Sequence, residues 1–329
     1  MKPKPTQLLK FTACVLFAAI LQSCGGKTGS WKNEQIDAST RDELHKLNEQ
    51  TFNYIKAGDA NLESMLSKEL LEDKTTKTLA QRANHELMVD SFARFNEYYV
   101  VNKTTEALDL KVDDGINSHH LVYAAPTKET YIVLLSPQNK AVANKTMITA
   151  VYSHYDYGWK LSKIDLGTYA INGKTAPELY DFAKAEYGKG NLMSAANIMS
   201  MATNCARPNA IWQYRDEAGL FKFSGKTNSE ADAKYLFPFP ITKISSEPLI
   251  LGVTSSITDE GTFPVIRYQS KISLNNKDAI KKEKDQIKKA IGVLMPGIDK
   301  NKYLIFSAYN ELPSATTSVN HVDMREQLP

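Results

Sequence analysis

The spacing of apolar residues changes once in the first half of the chain, and this change limits the folds open to it. Between residues 39 and 92 apolar side chains recur at helical spacing. From residue 98 to 165 the segments are instead rich in Tyr, Val, Ile and Thr, with Gly, Asn, Pro and Asp between them. That composition is typical of antiparallel strands. The sequence therefore predicts an α+β domain over residues 39–173, in which helices precede an antiparallel sheet.

Short motifs mark where the predicted helices begin and end. Thr40 and Glu43 fit a capping box, so the first helix is expected to start near residue 40. Gly58 is placed to end that helix in the left-handed conformation, and Asp59 is placed to cap the next one. A third helix is predicted from about residue 73 to residue 92.

Two segments of this domain resemble one known family. Residues 52–59 read Phe-Asn-Tyr-Ile-Lys-Ala-Gly-Asp, and residues 157–164 read Tyr-Gly-Trp-Lys-Leu-Ser-Lys-Ile. A helix, Gly-Asp, helix opening and a Gly-x-Trp-Lys final hairpin resemble the cone-shaped fold of nuclear transport factor two and the SnoaL-like proteins. The resemblance covers under half of the chain and implies a pocket in the mouth of the cone. Because this fold hosts enzymes, binders and structural modules, it does not decide the function.

His154 and Asp156 are the candidate catalytic residues of such a pocket. They lie two apart on a predicted strand and so share a face. A His beside a carboxylate is suited to act as a general base. Tyr152 lies on the same face, and Tyr152, His154 and Trp159 are the candidate ligand-binding residues. The alternative is that these side chains lie on the rim, hydrogen-bonded or solvated, without a catalytic part.

The start of the chain resembles the export signal of a bacterial lipoprotein. Three lysines precede an uncharged apolar run at residues 11–21, which is too short to span a bilayer. The run ends in Leu-Gln-Ser-Cys, which resembles the lipobox. The resemblance implies that residues 1–23 are a signal peptide and that Cys24 becomes the lipidated N-terminus. Residues 24–38 are then expected to form a polar tether.

This signal predicts a lipid-anchored protein of the cell envelope, because two or three acyl chains suffice for stable anchoring. Surface-exported lipoproteins of the Bacteroidetes type carry an acidic cluster directly after the Cys. No such cluster follows Cys24. We therefore expect the protein to face the periplasm. The alternative is an ordinary cleaved signal that has a Cys near its cleavage site.

The charge balance argues against nucleic acid as a partner. Of the 40 Lys and Arg residues, three lie in the leader, which has no acidic residue, and 37 basic residues then face 37 acidic ones. A chain without excess cations has nothing to replace the counterions of nucleic acid. The basic run from Lys281 to Lys289 is interrupted by Glu283 and Asp285 and indicates a solvated helix face.

The chain has three cysteines, at positions 14, 24 and 205. Cys14 leaves with the predicted leader and Cys24 is the predicted lipid attachment site. Cys205 therefore has no partner for an intramolecular disulfide. No local motif supplies it with a base, so a small buried residue at a helix end is expected.

A helical segment is predicted over residues 174–225. Pro177 opens its first helix, and small or apolar residues then follow at offsets that resemble one tetratricopeptide repeat. The residues that carry this resemblance are Leu179, Phe182, Ala183, Gly190, Ala195 and Ala202. A third, covering helix is expected from about residue 211 to Phe223. The segment is interpreted as a helical connector, with a peptide-binding groove as the alternative.

Residues 226–329 are predicted to form a small C-terminal α+β domain. Two strands at 249–257 and 265–274, a helix at 277–294 and a further strand at 303–309 give a ββαβ unit with an antiparallel sheet. The boundary is placed at residues 227–229, where the composition becomes polar.

The sequence has no phosphate-binding loop, dinucleotide-binding glycines, zinc-ligand spacing or nucleophile elbow. No cofactor and no metal are therefore expected. The leading hypothesis is a non-enzymatic, membrane-anchored binding or adaptor module for a protein, peptide or apolar ligand of the envelope. The alternatives are a SnoaL-like pocket enzyme that uses a His/Asp acid–base pair, and a structural subunit of an envelope assembly.

Overall fold

Seven α-helices and thirteen strands in three sheets make up the described part of the chain in a computed structural model. The structure describes residues 28–105, 107–313 and 318–328. The predicted signal peptide and Cys24 lie outside these residues. The predicted α+β class is confirmed. No helix of the described residues is long and apolar enough to cross a membrane.

The first sheet has five antiparallel strands in the order β1-β2-β5-β6-β7. Its strands are β1 (Gly29–Lys32), β2 (Phe92–Val101), β5 (Glu129–Pro137), β6 (Lys145–Tyr155) and β7 (Gly158–Ala170). Part of the predicted tether is thus a strand, since β1 pairs with the end of β2. The ring of Trp31 stacks on Tyr99 with 5.8 Å between centroids, which holds β1 on the sheet.

Three helices cover one face of this sheet. They are α1 (Ala38–Ala57), α2 (Lys68–Glu72) and α3 (Thr76–Val89), with a 3₁₀ turn at Ala60–Met65 after α1. The capping box predicted at Thr40 is wrong, because the Asp37 carboxylate accepts hydrogen bonds from the backbone of Ser39 and Thr40 and α1 begins at Ala38. The predicted roles of Gly58 and Asp59 are confirmed: Gly58 has φ 62°, and Asp59 caps the 3₁₀ turn.

A small three-stranded sheet, in the order β3-β4-β8, lies near the opposite face. Its strands are β3 (Ala107–Val112), β4 (His119–Ala124) and β8 (Trp212–Tyr214). The covering helix predicted from residue 211 is wrong at its start, because Trp212 pairs with Leu121 in β4. The buried Trp212 ring stacks on His119 at 3.5 Å, so a contact 93 positions away along the chain decides its conformation.

The helical segment consists of α4 (Ala176–Gly188), α5 (Leu192–Asn204) and α6 (Glu217–Tyr235). Pro177 lies in the first turn of α4, as predicted. Because α6 runs on to Tyr235, the boundary predicted at residues 227–229 falls inside a helix. Helix α5 contributes to two cores: Ile198 and Met199 pack with the first sheet, whereas Met193 belongs to the core of the C-terminal sheet.

The C-terminal sheet has the strand order β13-β12-β11-β10-β9. Its elements are β9 (Phe239–Pro240), β10 (Leu249–Thr258), β11 (Gly261–Gln269), α7 (Lys277–Leu294), β12 (Tyr303–Tyr309) and β13 (His321–Gln327). The ββαβ order is present, but the fully antiparallel sheet is a wrong prediction, because β11 and β12 pair in parallel across the α7 crossover.

Two further details of this domain differ from the sequence predictions. Strand β13 was not predicted; it pairs antiparallel with β12 over seven residues. The basic run of α7 is not solvated throughout, since Glu283 and Lys284 are buried. Lys284 reaches the Glu326 carboxylate at 2.6 Å, so the tertiary partner on β13 accounts for its burial.

Candidate ligand-binding site

His154 and Trp159 lie opposite each other where β6 and β7 meet in their hairpin. Their rings stack with 4.8 Å between centroids and 13° between planes. The His154 side chain is 43% exposed. The structure therefore brings together two of the three predicted ligand-binding residues, at the surface end of the first sheet.

The predicted partner of His154 is replaced by another carboxylate. Asp156 is exposed in the turn after β6, and within the described residues no hydrogen bond or ion pair includes it. His154 Nδ1 instead lies 3.5 Å from Glu129 Oε2, the same oxygen that accepts a hydrogen bond from the Tyr99 hydroxyl at 3.0 Å. The strand neighbour β5 supplies this acid, which sequence spacing along β6 does not reveal.

Tyr152 is a core residue, although it shares a strand with His154. It is fully buried under α1, its ring stacks on Tyr131 at 5.8 Å, and its hydroxyl donates to Asn48 Oδ1 at 3.1 Å. Burial raises the pKa of its phenol. Tyr152 therefore stabilises the packing of α1 on the sheet, and no ligand reaches it without moving that helix.

A row of four aromatic rings crosses the sheet at this end. Trp31 stacks on Tyr99, the Tyr99 centroid is 6.4 Å from that of Trp159, and Trp159 stacks on His154. Each of these rings keeps part of its surface exposed. The row forms an aromatic surface with Glu129 as its acid. Its Trp31 end lines a pocket of about 440 Å³, whereas Tyr99, Trp159 and His154 line no cleft found in the described residues.

A buried polar network lies deeper under α1 and was not predicted. Glu97 is buried, and its carboxylate accepts a 2.6 Å hydrogen bond from the Tyr131 hydroxyl and lies 2.8 Å from His45 Nε2. Burial and the Glu97 carboxylate together raise the pKa of Tyr131. The acid has both a phenol and an imidazole as partners, so the network ties α1 to β2 and β5.

The largest described cleft, of about 940 Å³, lies between the three helices of the first domain. Its size falls in the range of small-molecule sites, roughly 300–1,000 Å³. Apolar side chains from each helical element line it, at Ile55, Ala57, Leu62, Leu66, Leu71 and Ala80. None of the predicted site residues lines this cleft.

Local sequence creates the cleft. Gly58 ends α1 and turns the chain away, so the 3₁₀ turn and α2 cross between α1 and α3 rather than extending α1. Asn84 on α3 holds the far wall, because its Nδ2 donates to the carbonyls of Ile55 at 3.0 Å and Lys56 at 2.9 Å. In the sequence, the Gly58-Asp59 break between helices was the signal that indicated a change of chain direction at this cleft.

The rim of the cleft is acidic. Four carboxylates line it against two lysines: Asp59, Glu63, Glu72 and Asp73 against Lys74 and Lys77. Hydrogen bonds from the backbone and hydroxyl of Thr75 lower the pKa of Asp73, which is therefore ionised at neutral pH. An apolar floor under a net negative rim suits a ligand with an apolar body and a cationic end.

In the described ranges, no three His, Cys, Asp or Glu side chains lie close enough together to bind a metal ion. No family model, curated protein or solved structure matches the chain. The fold and the cleft describe the class of protein: an α+β protein whose helical layer contains a ligand-sized cleft.

Proposed function

We propose that the protein is a lipid-anchored, non-enzymatic binding module of the bacterial cell envelope. The observation that carries the proposal is the cleft of about 940 Å³ between α1, α2 and α3, with its apolar floor and acidic rim. The ligand that this chemistry fits is a peptide or apolar molecule that ends in a cationic group. Envelope location follows from the lipobox resemblance at Cys24.

The finer description of the fold is part of the same proposal. Helices α1–α3 precede four strands of the five-stranded antiparallel sheet and pack against it, which supports a nuclear transport factor two-like first domain. Helices α4 and α5 are each 13 residues long and are joined through Lys189, Gly190 and Asn191. This pair supports a tetratricopeptide-like hairpin. Neither likeness decides the ligand, because both folds host many functions.

Native mass spectrometry of residues 27–329, purified gently without the lipid, tests the binding function. We expect a reproducible mass excess over the bare chain. Ala80→Trp fills the cleft and should remove the excess, whereas Thr78→Trp, exposed on the same helix outside the cleft, should keep it. A bare wild-type chain would overturn the proposal and turn attention to a protein partner.

The anchor is tested separately in the producing cell. A labelled fatty acid should be incorporated into the wild-type chain and not into Cys24→Ala, which should also leave the membrane fraction. Incorporation that persists in Cys24→Ala would contradict the lipoprotein assignment. The outcome is independent of the cleft, so either half of the proposal can fail alone.

The alternative is an acid–base enzyme, and the contact between His154 and Glu129 favours it. A stacked aromatic row beside a His–carboxylate pair suits a planar substrate. Under this alternative, His154→Ala and Glu129→Gln would each lower a turnover found in the purified protein. Asp156→Asn serves as the control, because Asp156 is exposed and does not contact His154.

A further inference from the structure

Strand β13 leaves an open sheet edge at the C-terminal end of the molecule. It is the last strand of its sheet, paired with β12 on one side through all seven residues and, within the described ranges, with no strand on the other. The opposite edge, β9, has two residues, one of them Pro240. Exposed edges of this length are normally protected, because their free N–H and C=O groups pair with other chains.

A groove of about 460 Å³ runs between this edge strand and α7. Apolar side chains from both sides form its floor, at Leu274, Ile280, Val322 and Met324. Val322 and Met324 are two apart on β13, so they face the same side of the sheet and are both half-buried. The groove thus offers two apolar contacts at the spacing of an adjacent extended strand.

Cations on α7 line the groove. Lys277 and Lys281, one turn apart and both exposed, have no ion-pair partner in the part of the chain that the structure describes. The groove is also lined by one carboxylate, that of Glu326, which forms ion pairs with Lys284 at 2.6 Å and Lys288 at 2.7 Å. These two lysines lower the pKa of Glu326. The free charge of the groove is therefore positive.

We propose that the α7–β13 groove binds an extended acidic segment of a partner protein. The segment adds to β13 as a further strand and gains backbone hydrogen bonds along the edge. Its alternate side chains rest on Val322 and Met324, and its carboxylates reach Lys277 and Lys281. A recessed apolar floor beside an open strand edge favours a chain over a flat anionic membrane, which would meet only the lysines.

Fluorescence anisotropy with a defined probe tests this in the full chain. The probe is a fluorescein-labelled eight-residue peptide that alternates valine and glutamate, with an alternating valine–lysine peptide as its charge control. We expect saturable binding of the acidic peptide that weakens with added salt, and no binding of the basic one. Failure of the acidic peptide to bind would overturn the proposal.

Matched variants locate the binding. Lys277→Glu with Lys281→Glu should weaken binding of the acidic peptide at least tenfold, and Met324→Ser should weaken it severalfold. Lys282→Glu with Lys289→Glu changes the same charge on the same helix outside the groove and should leave it within twofold. Equal losses in both lysine pairs would refute a groove site.

A membrane role is distinguished with phosphatidylglycerol vesicles. The proposal expects Lys277→Glu with Lys281→Glu to affect peptide binding without a change in vesicle binding. If those changes abolish vesicle binding and leave peptide binding intact, the surface is a lipid contact and the peptide proposal is wrong. Circular dichroism of each variant confirms that the fold is kept.

Discussion

Asn172 and Thr262 are joined by two hydrogen bonds between the turn after β7 of the first sheet and the start of strand β11 in the C-terminal sheet. Asn172 Nδ2 donates to the Thr262 carbonyl at 2.7 Å, and the Thr262 amide donates to Asn172 Oδ1 at 2.7 Å. Asn172 lies in an Asn-Gly turn after β7 with φ 53°, a conformation that Asn tolerates better than most residues. One turn residue thus both reverses the chain and joins the first sheet to the C-terminal sheet.

Replacing Asn172 with glycine should loosen the contact between the two domains. Asn172→Gly keeps a residue that accepts positive φ and removes both hydrogen bonds, at about 1–3 kcal/mol of unfolding free energy. We expect calorimetry to show the C-terminal domain melting earlier than the rest.

The matched control is Asn33→Gly, which also replaces an Asn at positive φ. Its side chain bonds only within the first domain, to Asn96 and to the Glu97 amide. A single, equally shifted transition in both variants would contradict a domain-joining role for Asn172.

The hydrogen bond from Tyr131 to Glu97 should matter more than the one from Tyr152 to Asn48. Both tyrosines are fully buried, but the first donates to a buried carboxylate and the second to a neutral amide. Tyr131→Phe should cost about 1.5–3 kcal/mol and Tyr152→Phe about 0.5–1.5 kcal/mol. Urea unfolding measures both, and a larger loss in Tyr152→Phe would show that the carboxylate is not held by Tyr131.

Acidification should destabilise the protein through His119. This side chain is buried, its Nδ1–H donates to the Asn117 carbonyl at 2.8 Å, and burial lowers its pKa from 6.5 to about 4. Between pH 6.5 and about pH 4, His119 is protonated in the unfolded chain but stays neutral in the folded chain. Stability is therefore complete above pH 6.5 and falls by about 3 kcal/mol as the pH drops to 4.

Denaturant unfolding across pH 4 to 7 measures this loss in matched variants. His119→Asn keeps a donor for the Asn117 carbonyl but cannot titrate, so it should flatten the curve. His120→Asn changes the partly exposed neighbour, which pairs with Asp109 at 2.7 Å, and should retain the loss. Identical curves for wild type and His119→Asn would show that another group is responsible.

Cys205 should be unreactive in the folded protein. It is fully buried at the end of α5, its thiol donates to the Met201 carbonyl, and burial raises its pKa to about 12. The thiolate is the reactive form, so thiol reagents at pH 8 should label residues 27–329 only after unfolding. Rapid labelling without denaturant would mean that α5 opens locally.

Local chemistry made the junction between α1 and the 3₁₀ turn predictable before any contact was known. Gly58 and Asp59 act where the sequence placed them, because the left-handed conformation and the cap depend on neighbouring residues only. Four strands of the first sheet, β2, β5, β6 and β7, were predictable for a similar reason, since β-branched and aromatic runs between turn residues suit few other conformations. Strand β1, inside the predicted tether, was missed. The absence of an activating motif around Cys205 predicted a structural thiol, and the residue is buried at the end of α5.

The tertiary structure decided what depends on residues distant in the chain. The sequence around Trp212 predicts a helix, yet Trp212 lies in strand β8. Pairing with β4 and stacking on the His119 ring bury its side chain there. His154 faces Glu129 rather than Asp156, because strand pairing brings β5 beside β6. The sequence by itself determined the α+β class, the junction between α1 and the 3₁₀ turn, and most strands of the first sheet; the export signal stays a prediction. Packing between distant elements decided the parallel pairing of β11 with β12, the cleft and the open edge of β13, because those features arise only when separate segments meet.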